Sequence, residues 1–113
     1  MEIIGELINT SRKLISEAVK KKDGQYIKDI AKLQQDSGAT YIDVNCGTFM
    51  QTEVEAMEWL VDNVLQGCSV PLCIDSPNPL ALNAGLKKTQ KDKPMINSLK
   101  LEGGNVWKLN LDL

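Results

Sequence analysis

The feature that most constrains this fold is a regular alternation between short apolar runs and longer amphipathic segments. The short runs lie at residues 3–9, 40–45, 70–75 and 93–98, and segments with helical spacing of apolar residues separate them. Apolar runs that turn polar only near their end are typical of strands buried on both faces of a sheet. Strands that alternate with helices predict βαβ units and a parallel sheet. We therefore predict an α/β fold with about four parallel strands.

Local signals predict where the helices begin and end. Serine, aspartate and asparagine are preferred N-caps, proline suits the first helical turn, and glycine often follows the last turn. The sequence predicts N-caps at Ser11, Asp23 and Asn78, a helix end at Gly38, and a capping box between Thr52 and Glu55.

Successive βαβ units fit either an open doubly wound sheet or part of a closed (β/α)8 barrel. Neither G-x-G-x-x-G nor G-x-x-x-x-G-K-[ST] occurs, so the usual nucleotide-binding fingerprints of open sheets are missing. A complete barrel takes about 250 residues, whereas this sequence has 113. The pattern favours part of a TIM-type barrel.

The absence of histidine limits the chemistry that these residues can perform. It excludes Ser-His and Cys-His catalytic pairs and His-ligated zinc within the chain. The 13 basic and 15 acidic residues give a net charge of −2, and Arg12 is the only arginine. We expect no nucleic acid partner, because such a chain presents no basic face.

Cysteine usage and hydropathy predict a cytoplasmic protein. The three cysteines show no C-x-x-C spacing, which suits reduced thiols better than a disulfide framework. The first residues lack the basic and apolar regions of a signal peptide. No apolar stretch approaches the roughly 20 residues that span a bilayer, so we expect no membrane partner.

Polar side chains end every predicted strand. In chain order they are Glu6 and Asn9, Asp43 and Asn45, Asp75 and Ser76, and Asn97 and Ser98. In a barrel these strand ends meet at the face that carries active sites. A single polar strand end more often reflects turn and cap preferences, but four in succession favour a site. Asp75 and Asn97 are the strongest candidates, because apolar residues precede them.

Carboxylates and amides without histidine suit a neutral, flat heterocycle that offers N–H donors and a carbonyl. A carboxylate can accept two parallel N–H bonds from an aminopyrimidinone edge, and an asparagine amide can both donate and accept. A pterin fits this description. A divalent metal held by Glu6, Asp43 and Asp75 is the competing interpretation. It ranks lower because the set contains so many amides.

Six short motifs occur in order along the chain. They are IIGELIN at 3–9, Gly38-Ala39 with DVN at 43–45, AMEWLV at 56–61, CIDS at 73–76, AGLKK at 84–88 and PMINS at 94–98. Together they resemble the methyltetrahydrofolate:corrinoid protein methyltransferases. The resemblance implies that residues 1–98 are the N-terminal half of a pterin-binding (β/α)8 barrel and that residues 99–113 are a divergent tail. Dihydropteroate synthase shares that barrel but is less similar over residues 9–12.

The resemblance implies methyl transfer from N5 of methyltetrahydrofolate to the cobalt of a corrinoid carried by a partner protein. Asp75 and Asn97 match the pterin-holding aspartate and asparagine of the family. The predicted pterin site consists of Asp75, Asn97, Glu6, Asn9, Asp43, Asn45 and Ser98. The residue expected to serve N5 lies in the family's second half, so no catalytic residue is assigned and catalysis by this chain alone is not predicted.

A half-barrel would leave two sheet edges and an apolar interior uncovered. We therefore expect a homo-oligomer or a complementing chain. Leu109, Leu111 and Leu113 alternate with polar residues, which indicates a strand or an unpaired end. Two alternatives stay open: a pterin enzyme similar to dihydropteroate synthase, and a non-catalytic half-barrel that serves as a binding or interaction module.

Overall fold

A parallel β-sheet forms the centre of the fold, and helices connect its strands. The computed structural model describes residues 2–88, 96–97 and 106–111. The strands are β1 (Glu2–Asn9), β2 (Tyr41–Asn45), β3 (Leu72–Ile74), β4 (Ile96–Asn97) and β5 (Val106–Lys108). The helices are α1 (Lys13–Lys21), α2 (Gly24–Asp36), α3 (Glu53–Gly67) and α4 (Pro79–Lys87), and a 3₁₀ helix at Gly47–Thr52 precedes α3.

The strand order is β4-β3-β2-β1-β5, and every neighbouring pair is parallel. Strands β1 to β4 stand side by side in chain order, as the strands of a (β/α)8 barrel do. The prediction of an α/β fold with about four parallel strands from a TIM-type barrel is therefore confirmed. A fifth strand, β5, lies at the outer edge of β1, where Ile3 pairs with Trp107.

Strand β5 falls within the segment that the sequence marks as a tail. It occupies residues 106–108, ahead of the alternating leucines, and Leu109 and Leu111 lie outside it. The Leu109 N–H still donates to the Ile4 carbonyl (2.7 Å), which adds one bond to the ladder. Leu113, and residues 93–95 and 98 of the predicted fourth strand, lie outside the described residues.

The main apolar core lies between the sheet and the helices. Its strand contribution comes from Ile8, Ile42, Val44, Leu72 and Ile74, all with no exposed surface, and its helix contribution includes Ile27, Met57, Leu60, Val61 and Val64. This cluster, which we call the helix-side core, covers one face of the sheet. The longest described helix is α3, with 15 residues. Within the described ranges, no helix is both long and apolar enough to cross a membrane.

Three of the predicted helix signals are confirmed. Asp23 Oδ1 accepts from the Tyr26 N–H (3.2 Å), and Asn78 Oδ1 accepts from the Leu80 N–H (3.0 Å). Gly38 follows the end of α2 with a φ of 110°, a conformation that glycine adopts without steric cost. Each of these signals depends on residues close in sequence.

The predicted cap at Ser11 is wrong, and the predicted capping box at Thr52 has the right position without the predicted side-chain bond. The Ser11 N–H donates to Asn9 Oδ1 (2.9 Å), and this turn delays the helix, so that Arg12 becomes the N-cap of α1 without a side-chain bond. Thr52 is the N-cap residue of α3, but its hydroxyl donates to the Phe49 carbonyl (3.0 Å) in the preceding 3₁₀ helix and makes no bond to α3.

Gly67 at the end of α3 meets the backbone of α2. A Cβ there would lie 2.5 Å from the Lys28 carbonyl oxygen and 2.8 Å from its Cα. Because backbone cannot swing aside, we expect Gly67→Ala to lower the free energy of unfolding by about 1–3 kcal/mol. Gly24→Ala is the matched control, since its Cβ would meet only the Asn63 side chain, which can rotate. Urea unfolding measures both losses, and an equal loss at Gly24 would contradict this explanation.

Candidate functional site

The sheet face turned away from the helices carries the predicted site residues of β2. Ile42 and Val44 belong to the helix-side core, and side chains alternate along a strand. Tyr41, Asp43 and Asn45 therefore lie on the opposite face, which we call the inner face. In a closed barrel this face would line the interior.

The apolar part of the inner face is small. Ile4 and Cys73 form a second buried cluster, with Tyr41 packed against it. Ile4 is 7% exposed and Cys73 is fully buried. The expectation of an uncovered apolar interior does not hold for these two side chains, because both are buried.

Asp43 is a buried carboxyl on the inner face, with an exposed fraction of 4%. Its pKa is raised to about 7, first because burial desolvates the carboxylate and then because Asp75 and Glu6 place like charges nearby. A hydrogen bond with Cys73 and the charge of Lys108 act in the opposite direction. At neutral pH Asp43 is thus divided between carboxylate and carboxylic acid, and the acid can donate a hydrogen bond.

Asn45 and Asp75 form a direct side-chain pair across β2 and β3. Asn45 Nδ2 donates to Asp75 Oδ2 (3.3 Å), and Asn45 Oδ1 accepts from the Gly47 N–H (2.9 Å). The Asp75 N–H donates to the Val44 carbonyl (3.0 Å), so the residue continues the β2–β3 ladder. Both ends of the Asn45 amide are therefore held, and one carboxylate oxygen of Asp75 has a fixed donor.

The two site residues predicted on β1 lie at the border of this group. Asn9 is in register with Asn45 on the neighbouring strand, and its Oδ1 accepts from the Ser11 N–H. Glu6 is more exposed, and its Oε1 lies 3.6 Å from Nζ of Lys108 on β5. The structure thus places a lysine beside the acidic group, which the sequence did not predict because its strand is remote in sequence.

The fourth strand contributes Asn97 through its backbone position. Asn97 is in register with Ile74, the residue before Asp75, so it lies at the same edge of the sheet. Ser98 lies outside the described residues. The structure therefore brings Asp43, Asn45 and Asp75 together, with Asn9 and Glu6 beside them.

Sequence reasoning missed one partly buried polar pair next to this group. The Ser76 hydroxyl donates to Glu53 Oε2 and accepts from the Asn78 N–H (3.0 Å). Glu53 is only 5% exposed. The pair ties the loop after β3 to the start of α3. An acidic residue in a first helical turn is a weak signal by itself, and nothing local identifies a partner 23 residues away.

The cysteine thiols near the site are not set up as nucleophiles. Burial raises the pKa of Cys46 to about 12, and the charge of Glu53 acts in the same direction. Burial likewise raises the pKa of Cys73, with Asp43 adding to the effect. A thiolate is needed for nucleophilic attack. Within the described residues, no group of three His, Cys, Asp or Glu side chains has an arrangement that could hold a metal ion.

Active sites of (β/α)8 barrels lie at the carboxyl ends of the strands, which is where these carboxyl and amide side chains are grouped. The chain belongs to the pterin-binding enzymes, since the family model described as "Pterin binding enzyme" matches residues 5–109. The matched range includes every predicted site residue, from Glu6 to Ser98.

A methylcorrinoid:tetrahydrofolate methyltransferase from Eubacterium limosum is 40% identical to the chain over 106 residues. The alignment covers 94% of this chain and 39% of that relative. The chain therefore spans about two-fifths of the length of this curated relative. The resemblance found in the sequence motifs is confirmed.

The raised pKa of Asp43 predicts an unusual dependence of stability on pH. The folded state holds a proton that the unfolded chain, with a carboxyl pKa near 3.8, releases. Stability from this group is therefore present in acid and is lost as the pH rises to about 7. We expect Asp43→Asn to flatten the decrease measured by urea unfolding from about pH 4 to pH 7. An unchanged slope would contradict the assignment.

Lys108 is expected to keep the pKa of Asp43 lower than burial alone would set it. Lys108→Met removes a positive charge that lowers this pKa, so the pKa of Asp43 should rise. Carbon-detected NMR titration of the carboxyl groups measures the change, which added salt should reduce because Lys108 is exposed. Lys32→Met, on the distant α2, is the control. An identical shift in both variants would exclude a local effect.

Proposed function

We propose that this chain supplies the N-terminal half of the pterin site of a methyltransferase that acts between a tetrahydrofolate and a corrinoid protein. The observation that carries the proposal is the joined set of Asp43, Asn45 and Asp75 at the ends of β2 and β3. This set offers acceptors and donors along one side of a flat ring. Membership of the pterin-binding enzymes and the 40% identical relative support it.

Asp75 is the proposed anchor for the aminopyrimidinone edge of the pterin, from which it would accept two N–H bonds. Asn45 already donates to one of its oxygens, and the Gly47 N–H holds the Asn45 amide in place. The anchor is therefore oriented before the ligand arrives. Preorganisation of this kind reduces the entropic cost of binding.

Asp43 is proposed to act in its neutral form, donating a hydrogen bond to an acceptor atom of the ring. Its pKa of about 7 supplies that form at neutral pH. Glu6, Asn9, Asn97 and Ser98 complete the proposed pterin contacts at the ends of β1 and β4.

The remaining contacts are proposed to come from residues beyond this half-barrel. The relative is much longer than the chain, and the group that serves N5 would lie in the part that the chain does not cover. A longer protein, a second copy or a complementing chain could supply it. In this proposal residues 1–98 form the half-barrel, residues 99–113 form a tail, and a corrinoid protein docks over the carboxyl ends of the strands in the cytoplasm.

The proposed pterin contacts do not determine the direction of methyl transfer, so an assay has to determine it. The resemblance stated from the sequence implies methyltetrahydrofolate as the methyl donor and cobalt as the acceptor. The name of the relative puts the methyl group on the corrinoid first and tetrahydrofolate as its acceptor. The proposed pterin contacts serve both directions, because a catalyst accelerates a reaction and its reverse through the same transition state. Assays with a completed barrel should therefore start from each methylated partner in turn.

Calorimetric titration of the chain with 5-methyltetrahydrofolate tests the proposed half-site. We expect saturable binding that Asp75→Ala weakens by about 10–100-fold, the effect of losing hydrogen bonds to a charged group. Asp36→Asn is the matched control, because Asp36 pairs with Lys32 at the exposed end of α2. Its affinity should equal that of the wild-type chain. Light scattering at each concentration gives the oligomeric state that accompanies binding.

Three results would change the proposal. Equal binding by Asp75→Ala and wild type would remove Asp75 from the site. No binding by the folded wild-type chain would show that recognition needs the missing half and would favour a non-catalytic module. Tighter binding of a dihydropterin without the aminobenzoyl tail would favour the alternative similar to dihydropteroate synthase.

A further inference from the structure

Strand β1 contains one residue more than the stretch of β2 with which it pairs. Gly5 pairs with Ile42, and Ile8 pairs with Val44, so three steps along β1 match two steps along β2. The extra residue lies between Gly5 and Ile8 and forms a β-bulge.

The bulge decides which way the end of β1 faces. Gly5 lies on the helix side, where it abuts α2. In a regular strand Ile8 would then face inward and Asn9 would face the helices. Instead, Ile8 is fully buried in the helix-side core, and Asn9 is in register with Asn45 on the inner face. The inserted residue thus turns the apolar Ile8 into the helix-side core and the polar Asn9 to the inner face.

Gln34 of α2 holds this bulge from the helix side. Its side chain is fully buried, and its Oε1 accepts from the Leu7 N–H (3.0 Å), the backbone donor that the bulge removes from the regular ladder. Gly5 leaves room for it, since a Cβ at Gly5 would lie 2.9 Å from Gln34 Cδ. Gln34 and Gly5 act together: because Gly5 has no Cβ, the side-chain oxygen of Gln34 can reach the Leu7 N–H.

The amide of Gln34 is not explained by packing alone. Among the described residues, its Nε2 has no hydrogen-bond partner although it is buried. Burying an unpaired polar atom is costly, and an apolar side chain of similar size would avoid that cost. An apolar side chain would, however, leave the Leu7 N–H without its acceptor. The acceptor oxygen is therefore the chemically specific property of this residue.

We infer that Gln34 is a positioning residue: by holding the bulge in β1, it places Asn9 on the inner face beside Asn45. The inference rests on the proposed function only in assigning Asn9 a contact with the pterin. Gln34 itself lies on the helix side and touches no ligand. Its effect on binding passes entirely through the orientation of Asn9.

The experiment compares Gln34→Met with the wild-type chain by NMR in the absence of ligand. Methionine fills a similar volume without a carbonyl oxygen. We expect the Leu7 amide to lose its protection from hydrogen exchange and the nuclear Overhauser contact between the Asn9 and Asn45 side chains to disappear. Gln34→Glu retains an acceptor oxygen and should keep both signals at a pH where the carboxyl is neutral.

Gln35→Leu is the matched control on the same helix. Gln35 Oε1 also accepts from backbone N–H groups, those of Ser69 (2.6 Å) and Val70 (3.3 Å), but it serves the loop before β3. Its loss should leave the Asn9–Asn45 contact intact. If Gln34→Met does not fold, Gly5→Ala provides the second variant, because its methyl group displaces the acceptor oxygen.

The affinity for 5-methyltetrahydrofolate then tests whether Gln34 affects binding only through the orientation of Asn9. Asn9→Ala and Gln34→Met should each weaken binding about tenfold, the effect of one hydrogen bond, and the double variant should lose no more than either alone. A folded Gln34→Met variant that keeps the Asn9–Asn45 contact would overturn the inference, as would additive losses. If wild type binds no ligand, the proposed function fails, while the ligand-free signals still decide the role of Gln34.

Discussion

The parallel pairing of β1, β2 and β3 is the constraint on which the rest of the site depends. It sets Asp43 beside Cys73, and it carries the chain on from β3 so that Asp75 meets Asn45. The same pairing places Asp43 on the inner face, where it is buried and its carboxyl is desolvated. A slip of one residue would turn these carboxyls into the helix-side core, where unpaired charge is expensive. The same ladders therefore determine both the fold and the electrostatics of the inner face.

Much of this arrangement could be predicted from sequence, because its signals are local. Apolar runs that end in polar residues predicted β1 to β3, and the side chains of Asp23 and Asn78 predicted two helix starts. The grouping of Asp43, Asn45 and Asp75 followed from one general rule, that the ends of parallel strands meet. The helix start at Ser11 was wrong by one residue, because the turn between Asn9 and Ser11 precedes α1. At Thr52 the position was right, but the hydroxyl bonds to Phe49 and the capping box does not form.

The remaining features depend on partners that are distant in sequence. A bulge cannot be counted until the partner strand is known, so neither the face of Asn9 nor the need for Gln34 is visible in the residues alone. The Ser76–Glu53 bond and the approach of Lys108 to Glu6 have the same origin. In each case the residue types are ordinary, and only the tertiary fold gives them their role.

The place of β5 changes how a barrel could be completed. In a closed eight-stranded barrel, the free edge of the first strand receives the last strand. In this chain that edge is already occupied, because Glu2, Ile3 and Ile4 pair with residues 106–108. Closure by a second protein segment would therefore be a strand exchange: β5 must leave before another strand can enter. Assembly would then compete with an intramolecular contact, and its rate would be limited by the release of that strand.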